Sequence, residues 1–265
     1  MDSRRDFSTI SPSAKGLLVM KSRTGLPYAK EAADLLWGER GAEAARAEMA
    51  KVPSLDRLTL HFENRYRSLD EALRTSGATS IIEIASGLSF RGLAMTAAEA
   101  THYVDTDLPE MAATKAELVA KLQKGPLVGT LRVMPLNALD GDSFAAAVDG
   151  MPPGPITVIH EGLLVYLDDA EKTVLAANVR DALLARGGAW ITADVYVRRP
   201  FEVRMPRGDR AQRFLDDHHV EEQKFADWGE ADAFFTREGF AIERKLSPSS
   251  DPRHSRETWV LVPRA

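Results

Sequence analysis

The 265-residue sequence contains no cysteine. Disulfide bonds, thiolate metal ligands and cysteine nucleophiles are therefore excluded, and the composition fits a reducing compartment. The sequence also lacks an apolar run of the ~18 residues that a membrane-spanning helix needs. Its first 30 residues hold no long apolar segment of the signal-peptide kind. We therefore expect a cytoplasmic protein without membrane contact.

Neither sign of charge is in large excess, since the formal net charge is -5 and the sequence pI is about 5.8. Such a chain has no general attraction for nucleic acid or for an anionic membrane, so we expect neither as a partner. Hydrophobic residues make up 44% and charged residues 28% of the sequence, as in ordinary globular proteins. A chain of this length buries roughly 70–75% of its unfolded surface, which is enough for one domain with a full core.

Short β-branched segments alternate with longer helical segments after residue 80, which predicts an α/β fold with a mainly parallel sheet. The predicted strands are Ser80–Ala85, His102–Asp105, Thr130–Leu136, Ile156–His160, Ala189–Asp194, Phe240–Lys245 and Thr258–Val262. The predicted helices of this part are Gly92–Ala100, Leu108–Gln123, Ser143–Val148, Asp168–Ala185 and Glu230–Arg237. The short gap between the last two strands predicts a terminal hairpin, which simple dehydrogenase domains usually lack.

The first 79 residues read as amphipathic helices, most clearly at Ala29–Trp37 and Glu63–Arg74. We expect this N-terminal part to be a helical cap within the same domain as the core of residues 80–265. An irregular, charged insertion is predicted at residues 196–227.

The segment IIEIASGLSFRG, residues 81–92, raises the question of what its single central glycine serves. A dinucleotide-binding motif centred on Gly87 would place its other two glycines at Ala85 and Phe90. A phenylalanine at the third position blocks the close helix–strand packing that glycine permits. The sequence therefore disfavours a dinucleotide-binding oxidoreductase.

The sequence remains compatible with a loop that binds a ligand other than a dinucleotide. Gly87 stands between a strand and a helix N-terminus, which attracts negative charge. Asp105 and Asp107 follow about 20 residues later, where an acid can accept hydrogen bonds from both ribose hydroxyls. The alternative is a tight turn followed by surface acids.

Two longer segments, IIEIASGLSFRGLAM and YVDTDLPEMAATKAEL, carry a resemblance at Gly87-Leu88, Arg91, Asp107-Leu108-Pro109 and Lys115. A third, HEGLLVYLDDAE, adds Glu161, Gly162, Leu164, Tyr166 and Leu167. Together they resemble S-adenosylmethionine-dependent methyltransferases of the leucine carboxyl methyltransferase type, and most the branch with the tetracenomycin polyketide O-methyltransferase. The resemblance spans about residues 65–194. It departs at Ala85, where many members have glycine; a methyl group is tolerated there if the backbone φ stays below zero.

The resemblance implies a class I methyltransferase-like Rossmann fold, with a seven-stranded sheet, a C-terminal antiparallel hairpin strand and an N-terminal helical cap. It implies S-adenosyl-L-methionine as cofactor and S-adenosyl-L-homocysteine as product, and one glycine suffices because this cofactor has no pyrophosphate. The implied activity is O-methylation of a small-molecule carboxylate or hydroxyl, such as a polyketide-like metabolite. The alternatives are a protein carboxyl methyltransferase, a non-catalytic S-adenosylmethionine-binding protein and, less favoured, an NAD(P)-dependent oxidoreductase.

The resemblance also implies which residues bind the methionine end of this cofactor. Arg65 and Lys21 are expected at its carboxylate. Glu161, at the tip of the fourth strand, is expected to accept from its amino group.

The remaining implied contacts concern the nucleoside and the loop. For the ribose, Asp105 is favoured over Asp107 because the second strand is expected to end there. Asn137 and the backbone of Ala138 are expected at the adenine. In the glycine loop, Glu83, Ala85 and Gly87 are expected to orient the loop or to touch the cofactor.

His160 precedes Glu161 and has an ordinary pKa suited to general base catalysis. Neighbouring residues of one strand face opposite sides, however, so we expect His160 to be a packing residue. A carboxylate acceptor needs no base, and none is assigned. No metal site is expected either, because His218 and His219 have no suitably spaced partners.

The family places acceptor recognition in the N-terminal helices and in the insertion at residues 196–227. This insertion contains a cluster of arginines at Arg198, Arg199, Arg204, Arg207, Arg210 and Arg213. Because guanidinium groups bind carboxylates bidentately, the cluster is a candidate site for an acidic or phenolic acceptor. The alternative is a solvated surface that the acids just downstream neutralise.

Overall fold

The computed structural model describes residues 11–198, 216–247 and 254–264. The helices are α1 (Ser11–Lys21), α2 (Ala29–Trp37), α3 (Glu39–Ala50), α4 (Pro53–Ser76), α5 (Arg91–Ala98), α6 (Pro109–Leu122), α7 (Gly141–Asp149), α8 (Asp169–Arg186) and α9 (Trp228–Arg237). The strands are β1 (Ser80–Glu83), β2 (His102–Asp107), β3 (Thr130–Pro135), β4 (Ile156–His160), β5 (Gly188–Tyr196), β6 (Phe240–Leu246) and β7 (Arg256–Pro263). A 3₁₀ turn, Leu164–Tyr166, follows β4.

The seven strands form one sheet in the order β3-β2-β1-β4-β5-β7-β6. Strands β1 to β5 pair in parallel, whereas β7 pairs antiparallel with both β5 and β6. The predicted seven-stranded sheet with an antiparallel terminal hairpin is therefore confirmed. The strand order changes direction between β1 and β4: from β1 the sheet continues to β2 and β3 on one side, and from β4 to β5 on the other. Ligands of open α/β sheets bind at such a point, beyond the carboxyl ends of the strands.

Helices cover both faces of the sheet. Helix α4 contributes to an apolar cluster on one face that includes Leu69, Leu73, Ile81, Ile159, Ile191 and Val260. Helices α7, α8 and α9 cover the other face, where the cluster includes Ile82, Phe144, Val158, Leu175, Trp190 and Phe235. Because side chains alternate along a strand, β4 presents Ile159 to α4 and Val158 to α8.

The N-terminal helices pack near the loop that follows β1. Leu18, Ala32 and Ala42, from α1, α2 and α3, share a buried cluster with Leu88 and Phe90 of that loop. Phe90 is thus a core residue that joins the loop to the helices. The assignment of residues 1–79 as a cap remains a prediction, and most of the arginine cluster lies outside the described residues. Of its members, the structure describes Arg198, which donates to the carbonyls of residues 222 and 224.

Several predicted element ends are wrong: helix α4 begins at Pro53 rather than at Glu63, strand β5 continues to Tyr196, and the ends of β1 and β2 also differ. Strand β2 continues past Asp105 to Asp107, because Thr106 and Asp107 still pair with Met134 and Pro135 of β3. Strand β1 stops at Glu83, two residues before its predicted end at Ala85. The predicted cap of α8 is present, since the Asp168 and Glu171 side chains each accept a backbone N–H of the other residue.

Among the described residues, none of the helices has the length and apolarity needed to cross a bilayer. Helix α4 is the longest at 24 residues, but it carries charged side chains throughout its length. It packs against β5 and β7 of the sheet and against α1 and α3.

The backbone at Ala85 does not meet the condition of a negative φ under which an alanine is tolerated without strain, because its φ is +49°. This left-handed conformation turns the chain after β1 so that the Ser86 N–H can donate to the Thr106 carbonyl at 2.9 Å. The close contact between helix and strand, expected of a glycine at position 90, occurs at Gly92 instead. A Cβ at Gly92 would lie 2.7 Å from Tyr103 Cδ1, so a larger residue there would separate α5 from β2.

The strain at Ala85 predicts a stabilising substitution. A left-handed L-residue costs about 1–2 kcal/mol, and the extra unfolded-state entropy of glycine offsets roughly 0.5–1 kcal/mol of the relief. We therefore expect Ala85→Gly to raise the free energy of unfolding in urea by about 0.5–1 kcal/mol. The matched control is Ala97→Gly in the exposed part of α5, which should lower it by about 0.5–1 kcal/mol. A loss of stability in Ala85→Gly would contradict the assigned strain.

Candidate functional site

The candidate site lies where β1, β2 and β4 end. The loop with Gly87 follows β1, Asp107 is the last residue of β2, and Glu161 directly follows β4. All three ends point to the same edge because these strands are parallel. The structure therefore brings together residues that are up to 74 positions apart in the sequence.

Glu161 is the centre of a buried ionic cluster. Its Oε1 accepts a hydrogen bond from Lys21 Nζ and lies 3.7 Å from Arg65 Nη2. Its Oε2 lies 3.3 Å from Arg91 Nη2. The four side chains are 6% exposed or less. Burial alone would raise the pKa of Glu161, but the three cations outweigh burial and lower it, so the carboxylate is ionised.

The three cations come from three different helices. Lys21 ends α1, Arg65 lies in the middle of α4 and Arg91 begins α5. The ring of Tyr66 supports two of them, with Lys21 Nζ 5.2 Å and the Arg91 guanidinium carbon 3.9 Å from its centroid. Both contacts are within cation–π range, so packing as well as charge holds the cations in place.

Gly162 lets Arg65 approach this cluster. The φ of Gly162 is +78°, a conformation that disfavours any other residue. A Cβ at this position would also lie 3.1 Å from Arg65 Nη2. The Glu-Gly pair of the sequence motif thus combines the carboxylate with the space that its partner needs.

The Glu83 side chain is paired with Arg91. It is fully buried, and its carboxylate accepts from Arg91 Nη1 and from Tyr103 Oη. Arg91 Nε also pairs with Asp70 Oδ1 at 2.6 Å. The two roles expected for Glu83, orienting the loop or touching the cofactor, remain predictions. Sequence reasoning found Arg91 only as a motif residue and missed Asp70, whose helical spacing gave no signal.

The two acids of β2, Asp105 and Asp107, have different environments. Asp105 is fully buried, pairs with Lys115 Nζ at 2.7 Å and lies under α5, and burial raises its pKa. Asp107 is only partly buried, and its two oxygens accept the Gly87 and Leu108 N–H groups at 2.7 and 2.8 Å. The reason for favouring Asp105, that β2 ends there, is wrong. Asp107 occupies the strand end and contacts the glycine loop.

The loop after β3 contains the remaining predicted residues. Asn137 Oδ1 accepts the Leu139 N–H at 3.0 Å, and the Ala138 carbonyl accepts Asn178 Nδ2 of α8 at 2.9 Å. Both residues are partly buried at the same edge of the sheet. The Asn137 side chain therefore shapes the loop.

His160 and Glu161 face opposite sides, as expected. The His160 ring packs 5.6 Å from the Trp190 ring, on the face away from α4. Burial and the nearby Arg65 lower the pKa of His160 to about 3, so its ring is neutral at pH 7. Asp194 lies 4.0 Å away and accepts the Leu163 and Leu164 N–H groups at 2.6 Å each, which fixes the loop after Glu161.

A parallel sheet with an antiparallel seventh strand, and a site beyond the ends of β1, β2 and β4, define the class I methyltransferase fold. The family model of leucine carboxyl methyltransferases matches residues 19–180, or 162 of the 265 residues. The chain therefore belongs to the leucine carboxyl methyltransferase family. No curated protein matches the sequence.

Three of the similar solved structures, each with a TM-score above 0.5, share the fold at low sequence identity. A possible exported protein from Bordetella parapertussis has a TM-score of 0.53 and 17% identity, with 98% of each chain covered. The N,N-8-amino-8-demethyl-D-riboflavin dimethyltransferase RosA from Streptomyces davawensis has a TM-score of 0.52 and 19% identity, with 97% of this chain and 71% of that chain covered. The structure of PigF with SAH has a TM-score of 0.52 and 13% identity, with 97% of this chain and 71% of that chain covered. The chain spans less than half of the length of LepI: 71% of this chain matches 43% of one LepI structure, with a TM-score of 0.48 and 13% identity.

The ionic cluster predicts a pH-dependent loss of stability in Glu161→Gln. Because the folded pKa of Glu161 lies below its ordinary value of 4.5, the ionised carboxylate stabilises the fold above that pH. This contribution disappears as the pH falls below 4.5 toward the folded pKa. We expect Glu161→Gln to be less stable than wild type by about 3–5 kcal/mol at pH 7, measured by urea unfolding, with the difference shrinking below pH 4.5.

The matched control is Glu243→Gln, because Glu243 is exposed on β6. It should change stability by less than about 0.5 kcal/mol at every pH. A difference between Glu161→Gln and wild type that stays constant from pH 7 to pH 3.5 would contradict the ionised cluster.

Proposed function

We propose that this chain is an O-methyltransferase that transfers a methyl group from S-adenosylmethionine to a carboxylate or hydroxyl of a small molecule, such as a polyketide-like metabolite. The observation that carries the proposal is the position of the Glu161 cluster beside the Asp107–Gly87 contact. This edge of the sheet offers both signs of charge within one site, as a zwitterionic nucleoside ligand requires.

The methionine end of the cofactor carries a carboxylate and an ammonium group. Arg65 fits the carboxylate, because its Nε is buried without a hydrogen-bond partner among the described residues. Lys21 lies beside it and supplies a second positive charge. Glu161 fits the ammonium group as an acceptor, since the carboxylate is ionised. On this proposal the three residues hold the methionine end by charge complementarity.

The nucleoside end fits the strand ends of β2 and β3. Asp107 accepts hydrogen bonds from the ribose hydroxyls, because it is the partly exposed acid at the end of β2. The backbone at Ala85 and Gly87 lies alongside, and Asp107 holds Gly87 through its N–H. Asn137 and the Ala138 backbone border the adenine. Glu83 and Asp105 do not touch the nucleoside; Glu83 positions Arg91 and Asp105 positions Lys115 by ionic contacts.

S-adenosylmethionine held by these residues would supply an electrophilic methyl group on a positively charged sulfur, with neutral S-adenosylhomocysteine as the leaving group. The residues of the chain align the two reactants and exclude water. A carboxylate acceptor arrives without a proton, whereas a hydroxyl must lose one. Bonds to Asp70 and Glu83 hold the Arg91 side chain, and Tyr103 Oη in turn donates to Glu83.

Label transfer tests this function. Purified protein is incubated with methyl-tritiated S-adenosylmethionine and pools of small carboxylic acids, of phenols and alcohols, and of peptides with free C-termini. We expect label in an extractable small molecule. Release of the label as methanol by base identifies an ester, and resistance to base identifies an ether. Label confined to peptides favours the protein carboxyl methyltransferase instead.

The matched variants are Asp107→Ala and Asp149→Ala, the latter at the exposed end of α7. Loss of a charged hydrogen-bond acceptor should weaken S-adenosylhomocysteine binding by about tenfold to a hundredfold in Asp107→Ala. Asp149→Ala should bind as wild type does. Cofactor binding without label transfer to any pool favours a non-catalytic binding protein, and a folded wild type that binds NADH but not S-adenosylhomocysteine overturns the proposal.

A further inference from the structure

A hydrogen-bonded tyrosine–histidine pair lies beside the Glu161 cluster, and the cofactor assignments leave this pair unused. Tyr196 ends β5, and His61 lies one turn before Arg65 on the same face of α4. Tyr196 Oη lies 2.8 Å from His61 Nε2 and accepts a hydrogen bond from Arg65 Nη1 at 3.3 Å. Because Arg65 Nη2 also lies 3.7 Å from Glu161 Oε1, the pair borders the ionic cluster on the side toward β5.

The direction of these hydrogen bonds follows from the groups that form them. The Arg65 guanidinium can only donate, so Tyr196 Oη accepts from it. The single phenolic proton of Tyr196 is then directed to His61 Nε2, which accepts it when the ring carries its own proton on Nδ1. Tyr196 Oη keeps a second lone pair, with which it can accept a hydrogen bond from a further hydroxyl group.

His61 is suited to pass a proton on rather than to keep it. Burial and the nearby Arg65, Arg256 and Lys224 lower the pKa of His61 to about 3, so the ring is neutral at pH 7 and its Nε2 can accept. The ring is partly exposed, unlike the fully buried ring of His160. A neutral imidazole that gains a proton at Nε2 can lose its Nδ1 proton to water, which leaves no net charge on the ring.

A buried cation next to the pair favours negative charge on an oxygen. Arg256 pairs in register with Tyr196, is 2% exposed, and has an Nε and an Nη2 without a hydrogen-bond partner among the described residues. Its Nη1 donates to Ser68 Oγ, the Ala193 carbonyl and Thr258 Oγ1, which are all uncharged. Positive charge of this kind stabilises the negative charge that a hydroxyl oxygen develops as it loses its proton.

We propose that Tyr196 and His61 form a proton relay that deprotonates the methyl acceptor, and that this acceptor is a phenolic hydroxyl. The acceptor hydroxyl donates its proton to Tyr196 Oη, Tyr196 donates its own proton to His61 Nε2, and His61 releases its Nδ1 proton to water. The acceptor oxygen keeps the electron pair of its O–H bond for the new bond to the methyl carbon, with neutral S-adenosylhomocysteine as the leaving group. This inference rests on the proposed function and narrows its acceptor from a carboxylate or hydroxyl to a hydroxyl.

The relay distinguishes a hydroxyl from a carboxylate acceptor. An ionised carboxylate has no proton to lose, so a proton relay at its oxygen would serve no step. A phenolic hydroxyl ionises with a pKa of about 10, far below that of an aliphatic alcohol. A neutral relay aided by nearby positive charge therefore suits a phenol.

The first test examines the relay in the protein without any acceptor. ¹⁵N NMR of histidine-labelled protein gives the protonation state and the tautomer of His61, whose signals are assigned by their absence in His61→Gln. We expect a neutral ring from pH 8 down to pH 5, with its proton on Nδ1 and with Nε2 as the hydrogen-bond acceptor. A charged ring at pH 7, or a neutral ring with its proton on Nε2, overturns the inference.

The second test measures methyl transfer from tritiated S-adenosylmethionine at pH 8.5. The acceptors are phenol, 2-naphthol and 4-nitrophenol, with benzoate and phenylacetate as the carboxylates for comparison. We expect base-resistant label in at least one phenol. Wild type that binds S-adenosylhomocysteine but labels no phenol overturns the inference, and label in a carboxylate alone does so while the proposed function stands. Wild type that fails to bind S-adenosylhomocysteine removes the proposed function itself.

Two variants separate proton removal from packing. At pH 8.5, 4-nitrophenol is largely ionised and the other two phenols are not, so only the latter need the relay. Tyr196→Phe and His61→Gln should each lower kcat for the un-ionised phenols by about a hundredfold or more, and for 4-nitrophenol by less than about threefold. His102→Gln, at the first residue of β2 and thus at the opposite edge of the sheet, is the matched control and should change neither. Losses of equal size for all three phenols indicate a structural role and overturn the relay.

Discussion

The ionised carboxylate of Glu161 is surrounded by Lys21, Arg65 and Arg91, and the arrangement of the site depends on this contact. Each charge is buried, so none of them is stable in its position without the others. Because the cations come from α1, α4 and α5, the cluster requires the N-terminal helices to lie at the carboxyl edge of the sheet. The same contact joins the helices of the first 79 residues to the strand that ends at His160.

The cluster also separates two functions within one edge of the sheet. On the side of β1 and β2, Arg91 pairs with Glu83 as well as with Glu161, and Asp107 accepts a hydrogen bond from the Gly87 N–H of the glycine loop. Toward β5 and β7, Arg65 connects Glu161 to Tyr196, and Arg256 follows with an unused edge. On this account the cofactor and the acceptor share Arg65 as a common boundary, so that the reacting groups meet next to Glu161.

Much of this architecture is local enough to be read from the sequence. The alternation of strands and helices and the terminal hairpin follow from periodicity, and the positions of Gly87, Asp107 and Glu161 follow from their motifs. What the sequence could not supply depends on long-range pairing. Pairing with β3 extends β2 to Asp107, and the left-handed conformation of Ala85 accompanies the hydrogen bond from Ser86 to the Thr106 carbonyl of β2. Arg256 has no local motif, since only the antiparallel pairing of β7 with β5 brings it to α4.

The central claim is that Glu161 is an ionised group at the cofactor site, and carboxyl ¹³C NMR of glutamate-labelled protein measures this directly. The Glu161 resonance is assigned by its absence in Glu161→Gln and followed from pH 7 to pH 4, with and without S-adenosylhomocysteine. The account predicts a carboxylate that stays ionised below pH 4.5 and shifts with S-adenosylhomocysteine but not with NADH. A titration midpoint at or above 4.5, or a resonance that ignores S-adenosylhomocysteine, would contradict it.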